Sequence, residues 1–147
     1  MGLELQHDPD WLLWQHDNLV GTYRSDMVFA NAGVTWLIDR RQELRVRLEA
    51  LGLDARARQA WRVQDDGTPV AVDETVEDFA LRNLGFQVRY RYELAPLSYL
   101  YVAYVRGGSL YEQGTGPFDS AGRLLSDAFD LRDSEQLLVK LAYRFEL

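Results

Sequence analysis

Residues 84–94, LGFQVRYRYEL, decide the fold class because their side chains alternate with a period of two. The apolar parity holds Leu84, Phe86, Val88, Tyr90, Tyr92 and Leu94. The opposite parity holds Gly85, Gln87, Arg89, Arg91 and Glu93. Successive side chains of a β-strand point to opposite faces of a sheet, whereas a helix would scatter these residues around its surface. The stretch therefore predicts a strand with one apolar and one charged face.

The same alternation recurs in the last twelve residues of the sequence, 136–147, QLLVKLAYRFEL. Its apolar parity holds Leu137, Val139, Leu141, Tyr143 and Phe145. Its opposite parity holds Lys140, Ala142, Arg144 and Glu146. A second strand of the same kind is predicted here.

Three further segments are also predicted as strands. Residues 98–106 are rich in Tyr and Val, and the break at Ala95-Pro96-Leu97 joins them to residues 84–94 as a hairpin. Residues 27–38 alternate in the same way. Residues 11–23 are predicted as one more strand, with the turn after it at residues 24–26, Arg-Ser-Asp.

Residues 43–53 fit two predictions. Their apolar residues alternate with charged ones as in a strand, yet Leu44, Leu48 and Leu51 also fit a helical stripe that Asp39 would cap. The strand is favoured because a helix would leave Val46 off its stripe and because strands are predicted on both sides. The helix stays open as the alternative.

Short and long connections alternate along the chain. Residues 39–42 and 95–97 are short, whereas residues 54–83 and 107–135 are long and rich in Asp, Glu, Gly and Ser. Outer-membrane barrels have short periplasmic turns, longer extracellular loops and strands of roughly 9–11 residues. A short helix is predicted inside the second long connection, at residues 120–131. The fold class predicted is all-β, an antiparallel meander of about five or six long strands that forms part of an outer-membrane-type β-barrel.

In such a barrel the two parities would face lipid and lumen. The predicted lumen-facing charge ladder consists of Glu43, Arg45, Arg47, Glu49, Gln87, Arg89, Arg91, Glu93, Lys140, Arg144 and Glu146. The predicted lipid-facing residues are Val88, Tyr90, Tyr92, Leu137, Val139, Leu141, Tyr143 and Phe145. Aromatic residues at the ends of the apolar stretches are typical of interfacial girdles. The alternative is that the charged parity is the solvated outer face of a soluble sheet.

Composition narrows the class of protein. The chain has 147 residues and a formal charge of −7, which argues against a nucleic-acid partner because phosphate recognition needs basic residues. It has no cysteine, so disulfides and thiolate metal sites are excluded. Residues 1–15 show no export signal, and no segment approaches the roughly 20 apolar residues of a membrane-spanning helix. We expect one barrel segment over residues 1–147, truncated from a larger barrel, with residues 1–10 poorly ordered.

Several short segments carry a family resemblance. They are Asp10-Trp11, RRQELRV at 40–46, FQVRYRYEL at 86–94, Pro96-Leu97-Ser98, YVRGG at 104–108, LRD at 131–133 and LVKLAYRF at 138–145. From about residue 10 onward, the chain resembles the C-terminal part of a bacterial family of unknown function. Its longer members look like an exported carbohydrate-binding-like module followed by an outer-membrane barrel. The Tyr143-Arg144-Phe145 ending resembles the signal read by the barrel-assembly machinery, although Glu146 and Leu147 extend past it.

No catalytic motif is recognised, so neither an enzyme nor a cofactor is predicted. His7 and His16 lack a spaced third ligand and are interpreted as surface residues. The acidic residues of 65–78 lack the spacing of an EF-hand and are interpreted as a solvated loop. The tryptophans are interpreted as interface anchors or packing residues rather than as sugar-stacking platforms.

The sequence therefore predicts a barrel segment of the bacterial outer membrane that serves as anchor or passage for a surface or periplasmic module. Its partners would be the lipid bilayer, the remaining strands of the barrel or further copies of the chain, and, by resemblance, the barrel-assembly machinery. The competing hypothesis is a soluble β-rich module, a sandwich or calyx, that binds an apolar or sugar ligand.

Overall fold

A computed structural model describes residues 1–114 and 120–145 of the chain. The elements are β1 (Gly2–His16), β2 (Leu19–Leu37), β3 (Gln42–Val63), β4 (Pro69–Val72), β5 (Phe79–Ala95), β6 (Ser98–Gln113), α1 (Ala121–Asp130) and β7 (Ser134–Ala142). The sheet has the order β1-β2-β3-β5-β6-β7, all antiparallel, with β4 paired to β3. In the described residues β1 and β7 do not pair with each other, so the sheet is open. The predicted all-β antiparallel meander is confirmed.

The register gives the sheet two chemically different faces. Direct partners in an antiparallel pair share a face, and Glu43 pairs with Arg91 while Leu44 pairs with Tyr90. We call the side that carries Glu43 and Arg91 the charged face and the opposite side the apolar face. Residues 43–53 belong to β3, which decides the alternative of strand or helix in favour of the strand.

The strands extend well beyond the predicted ones. β3 continues to Val63 and β5 begins at Phe79, so much of the long connection predicted at residues 54–83 is strand. β6 likewise continues to Gln113. The loop prediction is wrong there because charged residues that are typical of loops pair with one another inside the sheet. Arg82 Nη2 lies 2.9 Å from Asp54 Oδ1, with both side chains buried.

The first hairpin also differs from the prediction. Residues 24–26 lie inside β2, where Ser25 pairs with Asp8 on one side and Ala55 on the other. The turn instead follows His16 and uses Asp17, whose φ of 46° is a conformation that Asp tolerates better than most residues. The sequence predicts poor order over residues 1–10. In the structure β1 begins at Gly2, which already pairs with Asn31 of β2.

The predicted helix is confirmed, with slightly different bounds, as α1. It packs on the apolar face, where Ala128 joins Ala50 and Leu84 in a small buried cluster. Leu124 is fully buried against Gly52. In residues 1–114 and 120–145, no helix has the length and apolarity needed to span a membrane.

Replacing Gly52 with alanine is expected to loosen α1 from the sheet. A Cβ atom at this position would lie 2.7 Å from Leu124 Cβ and 3.1 Å from the Leu124 carbonyl oxygen. Overpacking of this kind lowers the free energy of unfolding by about 1–3 kcal/mol. Denaturant unfolding measures the effect. Gly85→Ala is the matched control because nothing lies within 4 Å of its added Cβ, and equal effects of the two substitutions would contradict the proposed contact.

An aromatic cluster at the long-loop end shows how the sheet curves. Trp11 on β1 and Phe79 on β5 are three strands apart, which is about 14 Å along a flat sheet. Their ring centroids are only 6.1 Å apart, and Tyr23 on β2 lies 5.5 Å from Phe79. Side chains stand roughly perpendicular to a flat sheet. The sheet therefore curls toward the charged face at this end.

Much apolar surface remains uncovered. The accessible area is 10118 Å², whereas a compact monomer of this mass would expose about 7,700 Å². The edge strand β7 is exposed on both faces, with Leu138 at 57% and Val139 at 65%. An open sheet with apolar edges of this kind needs a partner, a lipid phase or a pairing strand to cover it.

Candidate functional site

The charged face brings the predicted charge ladder together in rows that cross the sheet. One row consists of Leu37, Glu43, Arg91, Tyr101 and Lys140. The next consists of Thr35, Arg45, Arg89, Ala103 and Leu138. The third consists of Gly33, Arg47, Gln87, Val105 and Gln136. Residues from separate predicted strands thus form one continuous surface.

The other ladder residues lie at its margins. Glu49 pairs with Asn31 and Gly85, one row farther from the short turns, and Glu93 pairs with Tyr99 near the β5–β6 turn. Arg144 follows the end of β7, and its backbone N–H donates to Ser98 Oγ at 3.0 Å. Glu146 lies outside the described residues.

Glu43 is the central carboxylate of the charged face. Its side chain is only 9% exposed, and its two oxygens accept from different arginines. Oε1 accepts from Arg45 Nε, and Oε2 lies 3.0 Å from Arg91 Nη2. The Arg91 guanidinium also lies 5.7 Å from the centroid of the Tyr99 ring, within cation–π range. Glu43 thereby fixes the positions of two guanidinium groups.

These residues line a cavity of about 460 Å³, which we call the arginine pocket. Its lining consists of Glu43, Arg45, Arg89, Tyr90, Arg91, Tyr101, Val102 and Ala103. Three guanidinium groups and one carboxylate give this lining a formal charge of +2. A pocket of this volume falls within the usual range for small-molecule sites.

The opposite face carries a band without charged side chains, which we call the apolar band. Its members are Val28, Ala30, Ala32, Val34, Trp36, Leu44, Val46, Leu48, Ala50, Gly52, Leu84, Phe86, Val88, Tyr90, Tyr92, Leu100, Val102, Tyr104, Leu137, Val139 and Leu141. The predicted lipid-facing residues 88, 90, 92, 137, 139 and 141 all lie in this band. Tyr143 and Phe145 follow β7, with ring centroids 5.0 Å apart, and both are exposed.

A line of polar residues bounds the apolar band toward the long loops, and we call it the boundary row. It consists of His7, Asp26, Asp54, Arg82, Arg106 and Glu135, one from each main strand. His7 pairs with Asp26 at 2.6 Å. Tyr104 Oη donates to Glu135 Oε1 at 2.6 Å. Sequence reasoning missed this row because its alignment depends on how far each strand is offset from the next.

The boundary row crosses the strands obliquely. Asp26 is level with His7 and Asp54. Asp54 pairs with Ala80 of β5, which in turn pairs with Glu112 of β6. The row meets β6 at Arg106 rather than at Glu112, six residues nearer the short turns, and it meets β7 at Glu135, which pairs with Arg106. Over the five strand steps from β1 to β7, this offset averages about 1.2 residues per strand. Strands about 4.8 Å apart and tilted by about 40° to a barrel axis would give the same value.

The long-loop end of the charged face holds a second pocket, of about 500 Å³. Its lining includes Trp11, Trp14, Tyr23, Phe79 and Tyr111. Burial raises the pKa of the Tyr23 phenol, and the neighbouring Tyr111 raises it further. This pocket is aromatic, in contrast to the arginine pocket.

In the part of the chain that the structure describes, no group of three or more His, Asp or Glu side chains is placed to hold a metal ion. Two carboxylates of the acidic loop bind other groups of the same chain. Glu74 pairs with Arg62, whose hydrogen bond lowers the pKa of Glu74. Asp78 Oδ1 accepts from the Ala57 backbone N–H at 2.8 Å.

No family model matches the chain, and neither a curated protein nor a solved structure matches it.

Proposed function

We propose that the chain is a membrane-spanning segment of an outer-membrane β-barrel that serves as anchor or passage for a surface or periplasmic module. The observation that carries this proposal is the apolar band, which runs across five adjoining strands without a charged side chain. The charged face at the same level carries eight charged residues, namely Glu43, Arg45, Arg47, Glu49, Arg89, Arg91, Glu93 and Lys140.

The dimensions of the apolar band suit a bilayer. On β2 the band runs from Val28 to Trp36 and on β3 from Leu44 to Gly52, which is nine residues on each strand. A tilted strand needs roughly 9–11 residues to cross the hydrocarbon core. Polar or turn residues bound the band on both sides, as a bilayer would require, because the short turns lie at one margin and the boundary row at the other.

The exposed apolar side chains support the same proposal. Val34, Trp36, Leu137, Val139 and Leu141 are all more than half exposed on the apolar face. Water would leave this surface unfavourably hydrated, whereas lipid would cover it. The charged face would then line an aqueous lumen, which keeps its many ionised groups solvated.

The edges of the sheet define what else the proposal requires. Even small outer-membrane barrels have eight strands, so the six main strands need further strands or further copies of the chain to close. The assembled barrel would hold a neighbouring module at the membrane, or admit solutes along the charged face.

We expect the full chain to aggregate in plain buffer and to recover strand structure only in detergent micelles, because the apolar band and the open edges lack a cover in water. Size exclusion and circular dichroism before and after refolding in non-ionic micelles test this. A monodisperse, strand-rich monomer in plain buffer would refute the membrane proposal.

That refuting result would favour a second function, a soluble module that binds an apolar or sugar ligand. The second pocket described above supports this function, because Trp11, Trp14 and Tyr111 line a cavity of a size that suits a small ligand.

A further inference from the structure

The arginine pocket has more positive charge than its own carboxylate can neutralise. Arg45 and Arg89 are direct cross-strand partners, an arrangement of like charges that destabilises a sheet unless an anion lies nearby. Glu43 pairs with Arg45 and Arg91. Among the described residues, no carboxylate lies within ion-pair distance of Arg89. The central guanidinium of the pocket therefore has its donors available.

The small residue opposite Arg89 provides space for a ligand. Ala103 pairs directly with Arg89, and a larger side chain there would cover the guanidinium. Tyr101, 37% exposed, lines the pocket next to this opening. Lys140 pairs with Tyr101 on the charged face and adds another positive charge at the margin.

Glu43 holds the pocket in shape. By accepting from Arg45 and Arg91 with separate oxygens, it fixes the guanidinium groups on either side of Arg89. A guanidinium presents a planar fork of N–H donors that matches the oxygens of a carboxylate or phosphate. A buried carboxylate that orients surrounding arginines is a positioning residue rather than a ligand contact.

From these observations we infer that the arginine pocket binds the carboxylate or phosphate group of a small solute, with Arg89 as the central contact and Arg45 and Arg91 beside it. This inference deepens the proposed function, on which it rests for the placement of the pocket in an aqueous lumen. Rings of arginine and lysine select anions in known pores, because their charge favours anion entry. The lumen would accordingly favour anionic solutes over neutral ones of equal size.

Calorimetric titration of the full chain, refolded in non-ionic micelles, tests the inference. The probes are inorganic phosphate, glucuronate and glucose, at low salt. We expect phosphate or glucuronate to bind, with glucose at least tenfold weaker. Losing one charge-assisted contact in Arg89→Gln should weaken anion binding roughly tenfold. Arg40→Gln, at an exposed turn position outside the pocket, is the matched control and should leave binding unchanged.

Two further variants separate a pocket from general surface charge. Ala103→Leu keeps every charge but fills the space opposite Arg89, so it should weaken binding as strongly as Arg89→Gln. Glu43→Gln should weaken binding although it removes a negative charge, because Arg45 and Arg91 lose their anchor. Stronger anion binding by Glu43→Gln, or equal loss in Arg89→Gln and Arg40→Gln, would overturn the site.

The outcome for the site is distinguishable from the outcome for the membrane proposal. Strand structure in micelles without anion binding would overturn the site and leave the barrel segment standing. Anion binding by a soluble monomer in plain buffer would overturn the barrel segment and support the site.

Discussion

Val139→Lys is expected to make folding into phospholipid vesicles less favourable by about 2–4 kcal/mol, the cost of a lysine on the lipid face of a barrel near the bilayer midplane. Val139 lies in the apolar band, pairs with Val102 and is 65% exposed. The fraction of protein that folds into vesicles, followed by denaturant titration, measures the effect.

The control for this substitution is its neighbour. Leu138→Lys introduces the same side chain one residue earlier, on the charged face, at a position that is 57% exposed. In a barrel that lysine would reach the aqueous lumen, so its effect should stay below about 1 kcal/mol. A soluble sheet would tolerate both lysines alike, and equal effects would therefore contradict the assignment of the apolar band to lipid.

Tyr23→Ala is expected to lower the free energy of unfolding by about 3–5 kcal/mol, as for other large aromatic residues removed from a core. Tyr23 is 1% exposed and meets Trp11 at 6.5 Å and Phe79 at 5.5 Å, both edge-on. Its loss would leave a cavity between β1 and β5 and remove the contact that joins strands two places apart. Denaturant unfolding in micelles measures it.

Two control variants test whether the effect comes from the buried ring of Tyr23, rather than from its hydroxyl group or from the loss of any tyrosine. Tyr23→Phe keeps the ring and removes only the hydroxyl, so it should cost about 1 kcal/mol. Tyr143→Ala removes a tyrosine that is 54% exposed and follows the end of β7, and it should cost less than Tyr23→Ala. A Tyr23→Ala protein as stable as the parent would contradict the conclusion that this aromatic cluster stabilises the sheet.

Alternation predicted the two faces well because it depends only on local backbone geometry. In β5, Val88 and Arg89 were separated by parity alone, and the register places them on opposite faces. The hairpin at residues 95–97 is equally readable because proline favours a turn. The structure adds that Leu97 adopts a positive φ there, 62°. Features that depend only on neighbouring residues can be predicted directly from the sequence.

The long-loop half of the sheet was less predictable. Its strands contain Asp54, Asp26 and Arg82, whose composition is typical of loops, and only cross-strand pairing makes them acceptable in a sheet. A shift of register near Thr22 and Tyr23 also changes which parity faces inward on β3. Neither the pairing nor the shift leaves a local signal.

The arginine pocket was predictable in composition but not in detail. Arg45, Arg89 and Arg91 were all expected on the charged face, whereas the opposition of Arg45 to Arg89 depends on a register between distant segments. The members of the boundary row could be identified from the sequence, as the first ionisable residue of the apolar parity that follows each apolar stretch toward the long loops. Their alignment into a row depends on the register.

In the proposed barrel, the slant of the boundary row would limit which strand can pair with β7. An added strand would have to carry its first polar residue about one position nearer the short turns, so that the edge of the apolar band continues without a step. Repeated around a closed ring, this offset becomes the shear, which amounts to about 10 residues for eight strands at the slope seen here. Strands added with a different offset would leave a seam where charged and lipid-covered zones fail to meet. The requirement for a continuous boundary row, rather than the fit of individual side chains, would then limit how many copies or strands complete the barrel.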